Sequence, residues 1–121
     1  MATIKSYTDL EQSKKLAEIL PLESADMRYE YSSREREDTQ EPMNGFHTSS
    51  FNWFKESDSF IYFPCWSLAA LLAVLPNENM LVKTTDGKYY CLSKDIITNH
   101  YDNPIDACYE MILKLHELNL L

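Results

Sequence analysis

The chain has 121 residues, of which 45% are apolar, 12% aromatic and 25% charged, close to the usage of an ordinary water-soluble globular domain. Leu, Ile, Val and Phe together exceed the roughly one-fifth level below which chains stay disordered, so a core is available and we expect a single globular domain over residues 1–121. Eleven Lys and Arg against nineteen Asp and Glu leave a net charge of −8. Without a basic cluster to neutralise phosphates, direct nucleic-acid binding is disfavoured.

An acidic surface instead suits a protein partner, either a basic protein or a nucleic-acid-binding protein. The three cysteines, Cys65, Cys91 and Cys108, are an odd set with no CxxC pair, and Met1–Lys5 lacks the apolar core of a signal peptide, so a cytoplasmic location is expected. The apolar run Leu68–Leu75 is far shorter than the roughly 20 residues needed to cross a bilayer, so no membrane association is expected.

In chain order, Thr8-Asp9-Leu10-Glu11 has the form of a capping box, and Leu10, Leu16, Ala17 and Leu20 recur at helical spacing up to Pro21. This predicts a first helix over about 9–20. Met27, Tyr29 and Tyr31 alternate with Arg28 and Glu30, the period of a strand with one buried face. Residues 32–50 are polar and charged apart from Met43 and Phe46, and read as a long solvated loop. Phe51-Asn52-Trp53-Phe54 then sets three aromatics beside that loop, to dock it or to form a binding patch.

Phe60–Phe63, bounded by Pro64, reads as a second strand, and Trp66–Leu75 as a helix apolar nearly all round, hence buried or at an oligomer interface. Asp86-Gly87 signals a two-residue hairpin, with Thr85 facing Lys88, Val82 facing Cys91 and Leu81 facing Leu92. Asn103-Pro104-Ile105-Asp106 supplies a cap, a first-turn proline and a first-turn acid. Ile105, Cys108, Met111, Ile112, Leu115 and Leu118 then form one stripe, with Asn119 as a left-handed stop. The predicted fold class is α+β: an antiparallel four-stranded sheet packed with about three helices, in the order α-β-β-α-β-β-α.

Three stretches carry a resemblance. They are Ser24-Ala25-Asp26-Met27, the central Pro64-Cys65-Trp66-Ser67-Leu68-Ala69-Ala70-Leu71-Leu72 ending at Leu75-Pro76, and Asn103-Pro104-Ile105-Asp106-Ala107-Cys108-Tyr109-Glu110-Met111-Ile112. In these the chain resembles a family of small proteins encoded by phages, prophages and plasmids of gut bacteria. The resemblance implies a mobile-element context and supplies no catalytic residues.

Two classes of function follow. The first is a binding module with no chemistry of its own, recognising a protein partner or a second copy of itself (a homo-oligomer) through Glu35, Glu37, Asp38 and Glu41 in the loop and through Trp53, Phe54 and Tyr90. Of the eight tyrosines, Tyr89 and Tyr90 point to opposite faces of their strand, so one can be core while the other is presented. The alternative is a thiol hydrolase. Cys65 before Trp66 at a helix start resembles the nucleophile segment of papain-like cysteine peptidases, with His100 downstream as base and Asp102 or Asn103 to orient it. That family's upstream Gln and the glycines beside its cysteine are absent. His47, His100 and His116 are too far apart for metal-ligand spacing, and Gly45 and Gly87 lie in no phosphate-binding pattern, so neither metal nor cofactor is expected.

Overall fold

A computed structural model describes residues 5–32 and 60–121. Within them the protein is α+β, with three helices and two small antiparallel sheets. The single four-stranded sheet expected from the sequence is replaced by a two-stranded and a three-stranded one. Strand periodicity marks which side chains share a face, but long-range pairing is decided by packing that periodicity does not encode. The chain groups into two compact units, Asp9–Ser67 and Met1–Thr8 with Leu68–Leu121.

In the first unit, helix α1 spans Leu10–Ile19. Its capping box lies one residue later than expected. Asp9 is the N-cap and accepts the Gln12 N–H at 2.8 Å, while Gln12 returns its side chain to the Asp9 N–H at 3.1 Å. Leu20 ends the helix in an extended conformation, as a residue before proline must. Leu16 and Leu20 are buried as expected, with Ser13 beside them.

Strand β1 (Met27–Ser32) pairs antiparallel with β2 (Phe60–Cys65), from Met27 opposite Cys65 to Ser32 opposite Phe60. The second strand therefore runs through Pro64 instead of stopping before it. Each strand of a two-stranded sheet is an edge, where a residue without an N–H is tolerated. α1 packs on β2, and the Lys14 ammonium lies 4.9 Å from the centre of the Phe63 ring.

Trp66 and Ser67 are not helical, contrary to expectation. Instead they close hydrogen bonds back to the segment before β1. Trp66 Nε1 donates to Ser24 Oγ at 3.0 Å, the Ser67 N–H donates to Asp26 Oδ1 at 2.9 Å, and Ser67 Oγ donates to Asp26 Oδ2. These bonds use the two residues ahead of the apolar run to satisfy polar groups, so the helix starts only after them.

In the second unit, helix α2 is the short Leu68–Val74, burying Ala70 and Leu71. Strands β3 (Met80–Lys83), β4 (Tyr89–Ser93) and β5 (Ile96–Ile97) form one sheet in that order. β5 was not anticipated, because two residues give no periodicity to read. The β3–β4 register differs from expectation by one residue: Leu81 faces Cys91 and Val82 faces Tyr90.

The turn holds three residues, Thr85, Asp86 and Gly87. The Gly87 N–H donates to the Thr84 carbonyl at 3.0 Å, Gly87 sits at φ +82°, and Thr84 and Lys88 are joined by a 2.8 Å bond from the Thr84 N–H to the Lys88 carbonyl. A turn ending in a left-handed glycine is the common three-residue solution, and Thr84 favours it. Its hydroxyl accepts the Lys88 N–H at 3.0 Å and bonds Asp86.

Helix α3 (Pro104–Glu117) matches its sequence signals. The Asn103 side chain accepts the Asp106 N–H at 2.9 Å, Pro104 sits in the first turn, and Ile105, Cys108, Met111, Ile112 and Leu115 are buried. Leu118 is instead 56% exposed. The helix ends at Glu117, and Leu118 leaves helical geometry as the C-cap, so the stripe no longer carries it inward. Asn119 supplies the left-handed stop at φ 58°.

Candidate functional site

Alternation along β4 divides the three-stranded sheet into two unlike faces. Cys91 and Ser93 are buried on the side that α3 covers. Residues directly opposite each other in an antiparallel pair share a face, so Met80, Leu92 and Ile97 stand side by side across all three strands, with Val82 and Tyr90 as a second row. On this other face Met80 is 53% and Ile97 55% exposed, while Val82, Tyr90 and Leu92 are half-buried. The result is a partly exposed apolar strip across the three strands.

Tyr90 also stacks on His100, with ring centroids 4.9 Å apart and planes 13° from parallel. The segment carrying His100 is fixed from both sides. Thr98 Oγ1 accepts the Cys91 N–H and donates to the Asn99 carbonyl, both at 2.9 Å, and Tyr89 and Tyr101 exchange two backbone bonds of 2.8 Å. From α3, the Glu110 carboxylate takes the Asn99 N–H at 2.8 Å and its side-chain amide at 3.1 Å.

Burial, and then the charge of Glu110, raise the Tyr101 hydroxyl above its ordinary range. By helical spacing Glu110 lies off the buried stripe of α3. Its position on the flank of the apolar stripe was the one sequence signal that it could reach a neighbouring segment.

The residues singled out from the sequence fall in three groups. Glu35, Glu37, Asp38, Glu41, Trp53 and Phe54, with the whole loop 32–50 beyond Ser32, lie outside the described residues. Tyr90 is on the apolar strip. Cys65 ends β2 opposite Met27 with no exposed surface, and α2 begins three residues after it, so its thiol does not stand at a helix N-terminus. His100 is exposed in the other unit, and its ring faces Tyr90.

The remaining thiols form a pair. Cys91 Sγ on β4 and Cys108 Sγ on α3 are 3.7 Å apart, hydrogen-bonded and fully buried. Hydrogen bonding from Cys108, with a smaller contribution from Asn79, lowers the Cys91 thiol against the opposing effect of burial. The same Cys91 bond, with burial, drives the Cys108 thiol far upward.

The described residues contain no group of three His, Cys, Asp or Glu able to hold a metal ion, and no described helix is long and apolar enough to cross a membrane. Comparisons with family models, curated proteins and solved structures find no match to this chain.

Proposed function

We propose that the protein acts by binding another protein, through the apolar strip of the three-stranded sheet, and that it does so as an accessory protein of a mobile element with no chemistry of its own. The observation that carries this reading is the row Met80, Leu92 and Ile97, two of whose members leave more than half their surface to solvent. Stable interfaces have an apolar centre ringed by polar groups. Exposed apolar side chains placed side by side across a sheet supply such a centre.

The partner is taken to be basic, because the chain carries a net charge of −8. Complementary charge of this size acts mainly on the rate of encounter. Four acids, Glu35, Glu37, Asp38 and Glu41, are proposed to provide that steering, and Tyr90 with Trp53 and Phe54 the aromatic contacts.

The test is retrieval of the partner from host lysate at low and at high salt, followed by association kinetics with the purified partner. Three versions of the protein are compared: wild type, Met80→Lys with Ile97→Lys, and the four acids changed to Lys. The expected outcome is a stoichiometric partner that is lost with the strip variant. With the acid variant, association should slow steeply at low salt and little at high salt. Undiminished binding by the strip variant, or recovery of this chain alone, would overturn the reading.

A further inference from the structure

The Cys91–Cys108 pair has no part in that binding face, since it lies on the opposite, covered side of the sheet. We propose that these two residues are a site of reversible oxidative modification, forming a disulfide when a small hydroperoxide reaches them and so stapling β4 to α3.

The geometry is already most of the way there. A disulfide needs its sulfurs about 2.05 Å apart, and these stand at 3.7 Å on elements that pack directly together. The required closure of under 1 Å per sulfur lies within the reach of small side-chain rotations. β4 is pinned at Cys91 through its N–H to Thr98, so the thiol is held facing the helix. Asn79, whose Oδ1 is buried without a partner, is a smaller influence favouring the Cys91 thiolate beside that of Cys108. Full burial selects the oxidant: a peroxide can enter through small fluctuations, whereas a bulky disulfide such as oxidised glutathione is excluded.

The chemistry balances with one peroxide. The Cys91 thiolate attacks a peroxide oxygen, the O–O bond breaks, and Cys91 sulfenic acid and hydroxide result. The Cys108 sulfur then attacks the Cys91 sulfur. The S–S bond forms, the S–O bond breaks, and the departing hydroxide and the Cys108 proton leave as water. Two thiols and one hydrogen peroxide, with its second hydroxide neutralised, become one disulfide and two waters.

The experiment treats the full chain with hydrogen peroxide, removes excess with catalase, then alkylates under denaturing conditions and maps the peptides by mass. The expected result is a peptide linking Cys91 to Cys108, separable by dithiothreitol, with Cys65 alkylated. The oxidised protein should melt at a higher temperature than the reduced one, and dithiothreitol should cancel the rise. In Cys108→Ser, dimedone present during denaturation should label Cys91 as the stranded sulfenic acid. Two separately alkylated peptides, after a dose that fully oxidises free cysteine in parallel, would overturn the proposal. A disulfide that recruits Cys65 would overturn it as well.

Discussion

β3 and β4 are joined by the five residues 84–88, and the bonds that close their pairing lie inside that turn. β1 and β2 are separated by residues 33–59 and are held instead by side chains far apart in sequence. Ser24 and Asp26 before β1 meet Trp66 and Ser67 after β2. The comparison separates two ways of fixing an antiparallel register. A short turn limits the loop-closure entropy and dictates the pairing through backbone geometry. A distant pair must add specific bonds at its ends, and the chemistry of those bonds is exposed to single substitutions.

The largest effect should come from Trp66→Ala, which empties a fully buried indole site and removes the bond to Ser24, leaving the Ser24 hydroxyl only the Pro21 carbonyl. A loss of about 3–5 kcal/mol by urea denaturation is expected. A loss below about 1 kcal/mol would show that the Ser24–Trp66 end does not hold β1 against β2.

Next, Asp26→Ala removes the two bonds that the Asp26 carboxylate accepts from the Ser67 N–H and hydroxyl and should cost about 1–3 kcal/mol. Asp26→Asn keeps one acceptor and should recover part of it. Equal losses in the two variants would locate the effect in charge instead of hydrogen bonding. Asn103→Ala removes the α3 cap, for an expected loss of about 1 kcal/mol. Gly87→Ala meets no atom but forces φ +82° on a residue with a Cβ, so a loss of about 1 kcal/mol is expected, from conformation alone.

The smallest effect concerns pH. The Thr84 hydroxyl holds the Asp86 carboxyl below its ordinary value. A group whose folded-state pKa is depressed stabilises fully above its unfolded value and loses that contribution as pH falls through the folded one. The protection of the turn amides against exchange, relative to the unfolded chain at the same pH, should therefore fall in acid below the ordinary aspartate range. In Thr84→Val the folded-state value moves back toward the unfolded one, so that pH-dependent loss should flatten, and an unchanged profile would separate the turn from the Thr84–Asp86 bond.

How much of this was legible in the sequence follows the same division. α3 could be read entire, cap, proline and stripe, because all its determinants are local. The first helix was legible to within one residue, since Thr8-x-x-Glu11 and Asp9-x-x-Gln12 both spell a capping box and only packing chooses between them. The Asp86-Gly87 hairpin was legible as a turn but not in its register, because Thr84 shifts the loop from two residues to three. The division into two sheets was not legible, and neither was the use of Trp66 and Ser67 as hydrogen-bonding residues, since their partners lie more than forty positions away. In the candidate site, alternation separates Tyr89 and Tyr90 onto opposite faces but does not say which is presented. Tyr90's neighbours Met80, Leu92 and Ile97 required the observed register, and the Asn99–Glu110 contact required the path of the chain after β5.

The three-residue turn also bears on how this surface can change over time. β3 presents Met80 and Val82 on one side, Leu81 and Lys83 on the other. Loss of a single codon between positions 85 and 87 can be taken up in two ways: by a two-residue turn that keeps Thr84 opposite Lys88 and the register, or by a three-residue turn that draws in Thr84 and slides the strand by one step, exchanging those sets wholesale. Because Met80, Leu81 and Val82 are all apolar, the core could absorb the exchange, while Lys83 would replace a hydrophobic neighbour on the outer strip. One deletion in a solvent-exposed turn could thus alter what the strip recognises, with no substitution in the strands themselves.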